Sequence, residues 1–189
     1  MINDFKQYRL TYTLMALLMT TFVFNYFRQG TSSLSENSFF QALLNNFSHS
    51  RRFHLSLSLL ALYNYRYVET RLGWEGYGLT LVYLLFSKTF IYYYFLNEEN
   101  QVSLGFSGII LGLMTISPEE KIFGFDCDPR YYSTIVLFIV QLIPQSSFYG
   151  NLSGVIAGYL FLVIPPQYLI KTESLKPHNH LLRQRKSHL

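Results

Sequence analysis

The chain has 189 residues, 50% of them hydrophobic and only 14% charged, with a net charge of +4. An average soluble domain carries about 25% charged residues, so this balance argues against a soluble globular enzyme and for a membrane domain. A single cysteine, Cys127, excludes an internal disulfide and a cysteine-based metal site, and no other motif calls for a metal or a cofactor.

Apolar runs follow one another along the chain. The first, near Leu10 to Phe27, is too long for a signal-peptide core and lacks a small-x-small cleavage site, so a retained first span is expected. The second, about Phe53–Thr70, carries Asn64 and Arg66. The third, about Tyr77–Leu96, is interrupted by Lys88, and its Tyr92-Tyr93-Tyr94 fits an interfacial aromatic belt. The fourth, Gly105–Ser117, falls short of the ~20 residues needed to cross the hydrocarbon core. A short helix of this kind is tolerated where its irregular start is buried in protein or faces a watery cavity, which places Ser107 below the membrane surface. The fifth covers about Tyr131–Ile143, and the sixth, Gly150–Ile164, stops at Pro165 and Pro166. The expectation is an all-α membrane protein, a bundle of six transmembrane helices over residues 1–170, followed by a basic, disordered tail over 171–189.

Six spans put both termini on one side. Lys6, Arg9, Arg66, Arg71, Lys121, Arg130, Lys171, Lys176, Arg183, Arg185 and Lys186 then share that side, against Arg28, Arg51 and Arg52 on the other. The positive-inside rule makes the first side cytosolic. The tail cations next to such spans read as a solvated, positive-inside segment that can contact anionic membrane lipid, rather than as a nucleic-acid site. The loop Gln29–Arg52 and the pair Glu98–Glu99 face the opposite side. That loop exceeds an ordinary connection in length, which suggests structure or function of its own. It contains Asn46-Phe47-Ser48, a glycosylation sequon. His49 and Lys88 are expected as polar groups near an interface.

Gly150, Gly154 and Gly158 recur every fourth residue in the sixth run, as Gly108 and Gly112 do in the fourth. This spacing lines one helix face with glycine and lets two backbones approach closely. The two runs are therefore expected to pack together. Ser107 precedes the first glycine of one, and Asn151 follows the first glycine of the other.

Gly105-Phe106-Ser107-Gly108 resembles the Gly-x-Ser-Gly motif of rhomboid intramembrane serine proteases. His49-Ser50-Arg51-Arg52-Phe53-His54-Leu55 is similar to the stretch that opens the rhomboid second span, and Glu69-Thr70-Arg71-Leu72-Gly73 to the run that closes it. Ser147-Phe148-Tyr149-Gly150-Asn151-Leu152-Ser153-Gly154 resembles the sixth-span motif of the rhomboid-like branch found in eukaryotic secretory membranes. The resemblance covers roughly His49 to Gly158 in order. It implies that Ser107 stands at the nucleophile position and that His54 helps hold the oxyanion. It also implies that the residue four positions on, Ser58, assists, and that the sixth-span base position falls on Asn151. The implied location is the endoplasmic reticulum or another secretory membrane.

Two of these positions depart from the family. The base position carries Asn151 instead of histidine, and the second oxyanion position carries Ser58 instead of asparagine. A serine hydroxyl is a weak nucleophile until a base takes its proton, and an amide cannot do so at neutral pH. The first-loop tryptophan-arginine pair usual in rhomboids is missing; the sole tryptophan is Trp74. His178, His180 and His188 lie in the tail, away from the site, which leaves His54 as the one histidine that could substitute as base. Three functions follow. The first is a pseudoprotease that binds transmembrane segments of single-span or multi-span clients, in quality control of membrane proteins. The second is an active intramembrane serine endopeptidase in which Ser107 uses non-standard base chemistry. The third is a channel or transporter, for which only Lys88 and Arg66 supply intramembrane charge.

Overall fold

The computed structural model describes residues 2–27, 38–49, 51–96, 103–117, 121–122, 125–128, 131–143 and 146–163. Arg28, much of the first loop, Glu98–Glu99 and the basic tail with its three histidines lie outside them. The described chain is helical: α1 (Ile2–Gln7), α2 (Arg9–Phe27), α3 (Phe39–Asn45), α4 (Arg52–Asn64), α5 (Tyr67–Ile91) running into a π-helical turn (Tyr92–Leu96), α6 (Ser107–Ile116), α7 (Tyr132–Val140) and α8 (Phe148–Val163). Between α6 and α7, Lys121–Ile122 (β1) and Phe125–Asp126 (β2) form a two-residue antiparallel ladder.

Six of these helices fall on the six apolar runs, but their lengths differ from the expectation. Among the described residues, two helical stretches are long and apolar enough to cross a membrane: α2, with 19 residues, and α5 continued through the π turn to Leu96, with 30. Helices α4, α6, α7 and α8 have 13, 10, 9 and 16 residues. At 1.5 Å rise per residue each falls short of a ~30 Å hydrocarbon core.

The second run ends early because the chain turns at Tyr65–Arg66. Arg66 lays its guanidinium over the rings of Tyr63 at 3.9 Å and Tyr8 at 5.3 Å, and donates to the Tyr63 carbonyl at 2.7 Å. The Glu69–Gly73 run therefore opens α5 instead of closing α4. Gly73 sits within α5 at φ 73° and ψ 162°, where the helix breaks and restarts. A Cβ there would meet nothing within 4 Å, so the demand for glycine comes from the backbone alone.

Glu69 is buried, and its position explains why a carboxylate is tolerated. Its two oxygens accept from the backbone N–H groups of Leu10 and Thr11 and from the Thr11 hydroxyl, all at 2.9 Å. Those amides belong to the first turn of α2, which has no intrahelical acceptor for them, and a negative charge there complements the helix dipole. Glu69 thus ties the start of α5 to the start of α2.

Nine of the ten residues of α6 are buried, so α6 is the central helix. Ile109, Leu111 and Leu113 form the core with Leu84 of α5, Leu62 of α4, and Val155, Ala157 and Phe161 of α8. By contrast, α2 buries Thr11 and Leu18 and turns Met19, Val23, Phe24 and Phe27 outward. A helix with an exposed apolar face of this length is suited to lipid.

Helices α6 and α8 run parallel at backbone contact. A Cβ on Gly108 would stand 2.5 Å from the Gly150 carbonyl oxygen, one on Gly112 3.0 Å from that of Gly154, and one on Gly158 2.8 Å from that of Gly112. One on Gly154 would strike the Gly108 carbonyl. The four-residue glycine period thus creates the channel into which each backbone fits.

Candidate functional site

The starts of α4, α6 and α8 meet at one end of the bundle, beside the last turns of α5. Gly105, at φ 95°, swings the chain into α6, and Ser107 is the first residue of that helix. Because α6 and α8 are parallel, Asn151 lies at the same level on α8. The Ser107 hydroxyl donates to Asn151 Oδ1 at 2.8 Å. The other end of the same amide, Nδ2, donates to Ser146 Oγ at 2.8 Å. Asn151 is therefore held at both ends, in a residue only 1% exposed. Ser146 did not stand out in the sequence. It is found only once the start of α8 is seen to fold back over Asn151.

The two histidines form the opposite wall. Their rings meet edge to face with centroids 5.2 Å apart, and both press on Gly105. A Cβ on Gly105 would stand 2.9 Å from His54 Cε1 and 3.3 Å from His49 Nε2, so Gly105 is required for both space and backbone. His49 is buried, not interfacial. Its Nε2 lies 3.2 Å from Ser58 Oγ, and the Phe106 N–H is directed at the same nitrogen at 3.5 Å. The Phe106 N–H can only donate, which makes Nε2 the acceptor and places the proton of the neutral ring on Nδ1. Burial, reinforced by the neighbouring His54 and partly opposed by the Phe47 carbonyl, lowers the pKa of His49 to about 4, so this ring is neutral at pH 7.

The Ser58 hydroxyl is thereby engaged by His49. Among the described residues neither ring nitrogen of His54 makes a hydrogen bond, and Ser107 Oγ has its hydrogen bond to Asn151 and none to an imidazole. Serine, asparagine and histidine are brought into one region, but a serine–histidine pair is not.

Three other expectations need correction. Asn46 of the sequon is fully buried, and its amide nitrogen donates to Ala42 O and Thr89 Oγ1, each at 3.0 Å. The folded chain has no exposed amide there to modify. Lys88 is 1% exposed instead of interfacial, and Tyr92 is buried at 2%, whereas Tyr94 of the same tyrosine run is 59% exposed. Burial of these residues comes from packing against the first loop and the start of α6, which the period of the third run does not reveal.

These features define a helical membrane domain of one class, in which a Gly-x-Ser-Gly serine opens a short central helix and faces position 151 on a parallel, glycine-faced partner. The model of the Rhomboid domain matches residues 36–167, well over half of the chain, and the chain belongs to the rhomboid family. Rhomboid-like protein 14, mitochondrial, from Arabidopsis thaliana is 28% identical over 91 residues, which is 45% of this chain and 25% of that protein. The chain thus matches a quarter of that relative's length. No solved structure matches the chain.

Proposed function

We propose that the chain is a rhomboid pseudoprotease, which holds transmembrane segments of client membrane proteins without cutting them. The observation that carries this reading is the 2.8 Å hydrogen bond from Ser107 Oγ to Asn151 Oδ1. An amide oxygen orients a hydroxyl but does not take its proton. Loss of the base from a serine catalytic unit lowers turnover by on the order of 10⁴ to 10⁶. Ser107 here acts as one half of an interhelical hydrogen bond, and Asn151 as the other. His54 keeps the position from which an oxyanion would be held, and its unengaged ring nitrogens leave it able to donate to a client carbonyl.

The same reading takes α2, α4, α5, α6, α7 and α8 as six membrane elements of unequal length, with residues 1–170 as the membrane domain and 171–189 as a basic tail. Arg9 stacks on Trp74 at 4.7 Å, and Arg66 stacks on Tyr8 and Tyr63. Arg71 donates to Ser117 Oγ at 3.1 Å. These cations gather at the end remote from Ser107, which supports cytosolic termini. The reading sets the chain in a secretory-pathway membrane, and the name of the Arabidopsis relative supplies mitochondria as the rival. Fractionation of the tagged full chain decides it.

The test is to reconstitute the full chain in liposomes with a panel of single-span proteins and to photocrosslink from the Ser107 end. Crosslinked but intact clients are expected. A cleaved client, with cleavage lost in Ser107→Ala, would overturn the reading in favour of an active endopeptidase.

A further inference from the structure

A helix is ordinarily held by an apolar face, and α3 has little of one. Its buried residues are Ala42 and Asn45, whereas Phe40 is 67% and Leu44 45% exposed. Phe39 meets the rings of Tyr93 and Tyr94, the latter 59% exposed. The inner contacts are polar. Asn46 follows α3 and is fully buried. Its Oδ1 accepts from Lys88 Nζ at 2.7 Å, and its Nδ2 donates to Thr89 Oγ1 at 3.0 Å. The carbonyl of Asn45 accepts from the Gly105 N–H at 3.1 Å.

Lys88 lies at the centre of these contacts. Its Nζ also donates to Ser103 Oγ at 3.2 Å and faces the Tyr92 ring at 5.5 Å. Its Cε lies 3.0 Å from where a Cβ on Gly108 would stand, and the Ser103 side chain fills the space left by Gly150. Lys88 therefore touches the residue after Ser107 and, through Ser103, the residue before Asn151. A π-helical turn follows directly after α5, a feature often found beside functional sites. A lysine inside a membrane bundle is costly and is usually retained for function, and the Lys88 Nζ donates to two acceptors at once, Asn46 Oδ1 and Ser103 Oγ.

We propose that Lys88 is the positioning residue of the Ser107–Asn151 pair: its side-chain nitrogen latches α3 and the Ser103–Gly105 approach to α5, and so fixes where α6 and α8 begin. This goes beyond the pseudoprotease reading and holds whether or not Ser107 cuts.

The test uses cysteine reporters in a Cys127→Ser background of the detergent-purified full chain. Ala42→Cys reports α3 docking, Ser107→Cys reports the site, and Ala157→Cys, inside the α6–α8 contact, reports the fold. Lys88→Met is expected to speed maleimide modification at positions 42 and 107 by about tenfold or more, the ratio that ~1.4 kcal/mol of lost docking produces, while position 157 stays protected. Asn46→Leu is expected to do the same at position 42 and to add nothing on top of Lys88→Met. If Lys88→Met does not fold, Asn46→Leu and Ser103→Ala carry the test, with position 107 expected to respond to both. The proposal is overturned if position 42 opens and 107 does not, if neither responds, or if position 157 opens with them.

Discussion

Ser107 Oγ and Asn151 Oδ1 lie 2.8 Å apart across two helices whose glycines hold them in parallel backbone contact. The bond joins the first turns of α6 and α8, where a proteolytic dyad would need an imidazole. Interhelical hydrogen bonds in membrane proteins contribute on average ~0.6 kcal/mol. A double-mutant cycle with Ser107→Ala and Asn151→Ala is expected to give a coupling of about 0.5–1 kcal/mol by unfolding in bicelles. A coupling of zero would mean that the two side chains do not meet.

Glu69 is the second polar tie, and a stronger one. Its carboxylate receives three donors at the start of α2. Glu69→Gln keeps the shape but turns an amide NH2 group, itself a donor, toward those donors, and is expected to cost about 2 kcal/mol or more. Thr11→Val removes one of the three and is expected to cost about 1 kcal/mol. Thermal unfolding in detergent of both variants should preserve this order.

The glycines separate two physical effects. Gly73→Ala meets no neighbour, and its cost comes from a backbone conformation that glycine alone adopts readily, about 1–3 kcal/mol. Gly154→Ala would place a methyl group against the Gly108 carbonyl, which is backbone and cannot rotate away. It is expected to force α8 off α6 and to cost more than about 3 kcal/mol. Equal losses in the two variants would contradict the packing described for α6 and α8.

His49 predicts a pH dependence with a definite sign. Its pKa in the folded chain, about 4, lies below the ordinary 6.5. Between these values the unfolded chain binds a proton that the folded chain does not, so stability rises with pH across that window. The contribution is complete above pH 6.5 and is lost as pH falls toward 4, with an upper limit of about 3 kcal/mol. Unfolding measured from pH 7.5 to 4.5 should lose most of this slope in His49→Gln.

Part of this architecture was legible in the residues. The glycine period in the runs around Gly108 and Gly154 encodes a face, and a face shared by two helices sets Ser107 beside Asn151. Helix ends were read less well. The residue types at Tyr65–Arg66 carry no Gly or Pro to signal that α4 stops there, and the contacts of Arg66 at the turn, with Tyr63 and with the distant Tyr8, appear only in the folded chain. Glu69 was legible as a motif but not as the cap of α2, 59 residues away from Leu10. Lys88 and His49 were expected near an interface, and Asn46 as an accessible sequon, because each is a polar residue in or beside an apolar run. Their burial comes from one another and from the approach to α6, and hydropathy along one helix carries no record of such contacts.

The central claim is that Ser107 has lost the partner that would take its proton. Labelling of the purified full chain with a fluorophosphonate probe tests it most directly, with Asn151→His measured in parallel. The account predicts no labelling at Ser107 in the native chain. Robust labelling of the native chain that disappears in Ser107→Ala would contradict it.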